Sequence, residues 1–305
     1  MRICSLVPGA TEVVAALGLA DQLVAISHEC NYPEPVRHAR VVVEPVVDDR
    51  LGSRTIDEQV KEVVSSGRPL YRLNEEALMD AMPDIVLAQD LCQVCAVTAN
   101  DLMQAVRALP AAPELLTLNP TSVQDVLNDI ERIGRALGRE AESRRYVASL
   151  RNRLAAVQQT STRVGPAVLC LEWLSPLYCA GHWIPEMVQW AGGRNLIGEP
   201  ARPSRSITWE EAFASDPDFV VVMPCGFSVE RTMKELAELI RSSREWARAV
   251  TSWSNIFVVD AGSYFSRPGP RLVDGVELLA AILSGTYAAS FDEHHVVAVS
   301  RSAFA

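Results

Sequence analysis

Two cysteines three positions apart, Cys92 and Cys95, sit in the run QDLCQVCAV, and a further thiol, Cys30, follows His28 in HECNYP. Thiolate and imidazole ligate soft or borderline metals, so this set suits zinc, iron or an iron–sulfur centre. One CxxC supplies two ligands only, and a tetrahedral site must recruit the others, here Cys30 and His28, by folding. The plain alternative is a pair of small residues capping a strand-to-helix turn. A CxxC also serves thiol redox enzymes, the only enzymatic reading the chain supports, but the Trp and Pro that flank thioredoxin-like sites are missing. Cys179 and His182 add a thiol and an imidazole in LYCAGHW, although a lone loop histidine is more often solvated or hydrogen-bonded. Cys4 and Cys170 fall mid-strand and read as small buried hydrophobes.

A second chemistry overlaps the first. Tyr32, Glu172, Trp173, Tyr178, Trp183, Phe227, Tyr264 and Phe265 follow strand-like runs, and Arg267 lies in SRPGPR. Rings of this kind stack on a large flat ligand, and an arginine binds a carboxylate, amide or phosphate. A metallated macrocycle would use rings, thiols and imidazoles together. The bland counterpart is loop packing for the rings and a helix-end role for Arg267.

Positioning these groups falls to alternating strands and helices. In the first half, apolar runs at 2–6, 23–27, 41–47, 85–88 and 115–118 alternate with helical stretches at 11–17, 56–65, 74–82, 100–108 and 122–136. Such alternation implies a mostly parallel sheet covered on both faces. A run without Gly or Pro at 139–160 predicts one helix of roughly 30 Å, at 1.5 Å per residue. After it the pattern restarts, with strands at 167–173, 219–223 and 256–259 and helices at 184–191, 209–214, 229–241 and 271–283. The halves echo each other: EEALMDAMPDIVLAQDLC lines up with EEAFASDPDFVVVMPC after two single-residue gaps. The expected organisation is an α/β lobe at 1–138, an interdomain helix at 139–162 and a second α/β lobe at 163–305. Ligands of open parallel sheets bind beyond the carboxyl ends of strands, so the rings and thiols point to a cleft between two facing lobes.

The totals narrow the classes. The chain has 305 residues, 49% of them hydrophobic, which suffices for two cores. A formal charge of −10 with 28 Lys and Arg argues against nucleic acid or anionic membrane as partner. No window approaches 18 consecutive apolar residues, so membrane insertion is not expected. No signal peptide is visible, and seven cysteines fit a reducing compartment, so the expectation is a cytoplasmic protein, periplasmic only if a leader was removed. Walker A, GxSxG, HExxH and GxGxxG patterns do not occur.

The runs SLVPGATEVVAALG, MPDIVL, GHWIPEMVQWAGG and SRPGPRLVDGVELLA resemble the bi-lobed substrate-binding proteins of ABC importers for cobalamin and iron–siderophores. HECNYP and QDLCQVCAV are similar to motifs of the cobalamin-binding branch. The resemblance covers nearly the whole chain. It implies two Rossmann-like lobes joined by a rigid helix and no catalysis, and a helical linker, which resists the bending a loop would permit, predicts limited hinge motion. The resemblance further implies cleft loops that hold a corrinoid such as cobalamin, and acidic residues on each lobe's top face that dock an ABC permease. Precursors of cobalamin, a siderophore or haem fit the same fold. A Cys/His metal or iron–sulfur protein built on His28, Cys30, Cys92 and Cys95 is the alternative.

Overall fold

The computed structural model describes residues 1–89, 106, 112–160 and 165–299. The first sheet is built from β1 (Ile3–Ser5), β2 (Leu23–Ser27), β3 (Arg40–Pro45), β4 (Tyr71–Leu73), β5 (Ile85–Gln89) and β6 (Glu114–Leu118). Its order is β4-β3-β2-β1-β5-β6, parallel except for the edge pair β3–β4. The helices around it are α1 (Pro8–Ala16), α2 (Ser53–Ser65), α3 (Glu75–Ala81) and α4 (Val123–Ala136). The helix α1 starts three residues before Thr11, because Pro8 at its first turn has a fixed φ suited to a helix start. Thr11 is therefore internal, not a cap. Asn74 caps α3 and Ser122 caps α4, each accepting a backbone N–H three residues on.

The linker helix α5 (Glu140–Thr160) leads into the second sheet. That sheet holds β7 (Ala167–Leu174), β8 (Leu177–Cys179), β9 (Arg194–Asn195), β10 (Arg205–Ser206), β11 (Phe219–Val222), β12 (Ile256–Val259) and β13 (Val296–Val299). Strands run β10-β8-β7-β11-β12-β13, with β9 also on β7; β7, β9, β11 and β12 are parallel, and the pairs β7–β8, β8–β10 and β12–β13 are antiparallel. Its helices are α6 (Ile184–Trp190), α7 (Trp209–Ala214), α8 (Val229–Ser242), α9 (Arg244–Ser252), α10 (Ala261–Tyr264) and α11 (Leu272–Leu283). The internal repeat has a spatial meaning: α7–β11 lies beside β7 as α3–β5 lies beside β1, both pairs parallel.

Period-two alternation divides each sheet between two cores. Ile3, Ile26, Ile85 and Leu87 face a central core that continues through Val147, Leu150 and Leu154 of α5 to Val168, Cys170, Val221 and Val259 of the second lobe. Cys4, Ala25, Val86 and Ala88 face a smaller core on the far side of the first sheet, and Leu169, Leu171, Val220 and Val222 do so in the second. The linker is thus no bare rod: burying each of its large apolar side chains contributes roughly 2 kcal/mol to holding the lobes on it. Gly134 of α4 admits this packing, since a Cβ there would lie 2.1 Å from Ser143 Oγ. Among the described residues no helix is long and apolar enough to cross a membrane.

Candidate functional site

The carboxyl ends of the parallel strands in the two sheets meet along one line. Nearest the linker, the turn after β1 touches the loop after α10 so closely that a Cβ on Gly9 would lie 2.0 Å from Pro268 O. Beside it Arg271 donates to both carboxylate oxygens of Glu12, at 3.0 and 2.6 Å, in a pair 14% and 5% exposed. The same guanidinium lies 4.0 Å over the Tyr32 ring. On the opposite lobe's helix α6, Glu186 accepts the first N–H of α4, from Val123, at 2.7 Å.

Moving away from the linker, Arg267 donates to Glu29 at 2.9 Å and to Asn31 at 2.8 Å, both in the loop after β2. Arg231 of α8 donates to the carbonyls of Asp49 and Leu51, and its guanidinium covers the Phe227 ring at 3.5 Å. Glu235, one turn on, accepts Ser53 N–H at 2.7 Å, and the Trp173 indole donates to Ser53 O at 3.1 Å. Trp173 meets Phe227 edge-on at 5.4 Å. These bonds span 182 residues of sequence at Glu235 and 259 at Arg271, so they are made only by lobe closing on lobe.

Burial sets the protonation of the surrounding groups. It pushes the Glu172 carboxyl above the usual range, although Ser204 and Gly181 donate to it at 2.7 and 3.3 Å. It lowers His182, favouring the neutral imidazole, and raises the Tyr264 phenol to about 12. The arginines 231, 267 and 271 along the line face Glu12, Glu29, Asp49 and Glu235, so the walls carry balanced charge rather than a cationic patch.

The expected site residues divide accordingly. Tyr32, Trp173, Phe227 and Arg267 lie on the meeting line, and Tyr178 beside it, near Lys61 of α2. Trp183 and Phe265 instead belong to the central core, the indole N–H bonded to Phe265 O at 2.8 Å. Glu172 is tied into its own lobe, and Tyr264 packs against His295.

Among the described residues the members of the expected metal set lie apart. Cys92 and Cys95 lie outside the described residues. Cys30 is 2% exposed, receives the Thr11 hydroxyl at 3.0 Å and is pushed up to about 11 by burial, which makes it a neutral core thiol. Cys179 is buried in the outer core of the second lobe and, with His182, on a different lobe from His28 and Cys30. Among the described residues Cys4, Cys30, Cys170 and Cys179 are buried, and Cys225, just past the end of β11, is exposed. His28 groups instead with Glu29 and Asp49, ligand atoms within 4.8 Å of one another.

Sequence reasoning missed Glu12, Ser53, Arg231, Glu235 and Arg271. Arg271 had a signal, as the second cation of SRPGPR, and Glu12 had one, as a carboxylate within the apolar run ATEVVAAL. Ser53, Arg231 and Glu235 are ordinary helix residues whose partners come from the other lobe.

A family model described as periplasmic binding protein matches residues 3–252. A protein of Photorhabdus laumondii named vitamin B12-binding protein is 22% identical over 93% of this chain and 88% of its own length. An ABC transporter substrate-binding lipoprotein of Bacillus subtilis is 25% identical over 92% of this chain and 78% of its own. The crystal structure of a periplasmic haem-binding protein of Vibrio cholerae superposes with a TM-score of 0.69 at 19% identity, covering 93% of this chain and 98% of the other. The Bacillus protein is named a lipoprotein and the Vibrio protein periplasmic, and the expectation of a cytoplasmic protein finds no support among these relatives.

Proposed function

The chain belongs to the periplasmic binding protein family, and on that premise we propose that it captures a corrinoid, of the cobalamin class, between its lobes and presents it to an ABC permease. It binds and carries out no reaction. The observation that carries the reading is the line of paired, charge-balanced side chains and rings at which the strand ends of both lobes meet. Trp173 and Tyr32 supply faces and edges for a flat ring system, and Phe227, buried under Arg231, backs the Trp173 indole. Arg231, Glu235 and the Ser53 backbone supply hydrogen bonds of both senses, which suits the neutral amides that surround a corrin. Haem fits this line less well, because its two carboxylates need two cations, and of the three arginines Arg267 and Arg271 already hold Glu29 and Glu12, which leaves Arg231, bonded to carbonyls. A ligand enters by separating the bonds at Ser53, Asp49 and Leu51, while those beside the linker stay closed.

Titration with cyanocobalamin and, separately, with haemin tests the reading by calorimetry and absorbance. One corrinoid per chain at micromolar concentration or tighter, with haemin weaker, is the expected result. Tight haemin binding without corrinoid binding would transfer the site to the haem-carrying members of the fold.

A further inference from the structure

We infer that the amino-terminal end of α2 is a subsite for the phosphodiester of the ligand, held in the unliganded protein by the carboxylate of Glu235. The inference rests on the corrinoid reading above, because cobalamins carry such a phosphodiester in their nucleotide loop.

The helix α2 runs 13 residues from Ser53, and its N-cap is Gly52, which has no side chain to satisfy the free N–H groups of the first turn. Helix starts of this kind attract anions through both the N–H groups and the macrodipole. Here an anion is already in place, but it comes from the other lobe: Glu235 Oε1 lies 2.7 Å from Ser53 N. A second, independent feature marks the same residue. Ser53 is fully buried, and its hydroxyl has no hydrogen-bond partner. An orphaned buried hydroxyl is a cost the fold retains, and a serine Oγ always lies within about 4 Å of its own backbone nitrogen. A tetrahedral oxyanion at this helix start could take the N–H and, by rotation about χ1, the O–H of the same residue, whereas Glu235 takes only the N–H.

Charge favours the exchange. Arg231 lies one turn before Glu235 on α8 and binds the carbonyls of Asp49 and Leu51, the residues that lead into Gly52. Arg231 and Glu235 move together on α8 when the lobes part, and reclosure over the ligand brings the guanidinium back as the cation beside the bound phosphodiester. Because Glu235 and Arg231 belong to the second lobe and Ser53 to the first, entry of the phosphodiester and release of the lobes at this end are one event. Trp173, bonded to Ser53 O, ties the ring-binding wall to the same point.

The test compares two corrinoids on the full-length protein: cyanocobalamin, which carries the phosphodiester, and dicyanocobinamide, which has the same ring without it. The unmodified protein is expected to prefer cyanocobalamin by about tenfold or more. That preference falls about tenfold in Ser53→Ala and rises several-fold in Glu235→Gln, a half-exposed and isosteric change that retains the fold if Ser53→Ala does not. Equal affinity for both ligands, with a preference that neither variant moves, overturns the subsite and leaves the corrinoid reading standing. If neither corrinoid binds, both fall together.

Discussion

The lobes meet in two ways, and the contrast explains how one interface can be both a hinge and a mouth. Beside the linker, contacts are backbone on backbone at Gly9 and Pro268, or buried and bidentate at Glu12 and Arg271, and the linker's own Tyr146 lies near that pair. Arg153 of the linker also binds Asp274 and Glu277 of α11. At the far end, contacts are single hydrogen bonds to loop carbonyls and a helix start, at Ser53, Asp49 and Leu51. Buried, geometrically exact pairs resist removal of either partner, while half-exposed single bonds exchange readily with water or ligand. Closure is therefore permanent at one end and conditional at the other.

Four substitutions, in two pairs that each set the linker end against the far end, test the contrast. Gly9→Ala places a Cβ against backbone that cannot rotate away, and stability should fall by about 3 kcal/mol or more. Gly52→Ala, whose Cβ would meet only Glu235 at 3.9 Å, should cost about 1 kcal/mol at most. Equal costs in urea unfolding would erase the distinction between the two ends. Next, Arg271→Ala leaves Glu12 buried without its partner and should cost about 3–5 kcal/mol. Arg231→Ala removes bonds to solvent-accessible carbonyls and should cost about 1 kcal/mol while weakening corrinoid binding. A large stability loss at Arg231 would place it with the hinge instead.

The smallest effect is in pH. Burial holds the Glu186 carboxyl above the usual range, with the Val123 N–H working against it. A carboxyl raised on folding adds stability that is complete below its unfolded pKa, near 4, and is lost as pH rises through the folded value. Glu186→Gln keeps an acceptor for Val123 and has no charge to bury. It should be slightly more stable than the natural protein at pH 7, with the advantage shrinking toward pH 4 in parallel denaturation curves.

Much of the fold was legible because its signals are local. The strands Leu23–Ser27 and Ile256–Val259 and the helix Trp209–Ala214 have the boundaries that their apolar runs, Pro-Asp stops and caps predict. The hairpin strand Leu177–Cys179 was not, since three residues after a Pro carry no period of their own. The helix Arg244–Ser252 hid behind α8, from which a single residue, Ser243, separates it. Position after a strand-like run named rings near the strand ends and carried no signal for their direction. Trp173 lies near the end of β7 and Trp183 after its hairpin, yet one indole turns across to Ser53 and the other inward to Phe265. Position after a strand says that a ring is near the cleft; which way it faces is settled by packing from elements far along the chain.

Hydrogen exchange with and without cyanocobalamin tests the two-ended interface most directly. Bound ligand should change amide exchange at residues 49–55 and 226–235, and leave residues 7–12, 123–127 and 268–275 as slow as before. Changes confined to the second group, or exchange that the ligand does not alter anywhere, would contradict the account.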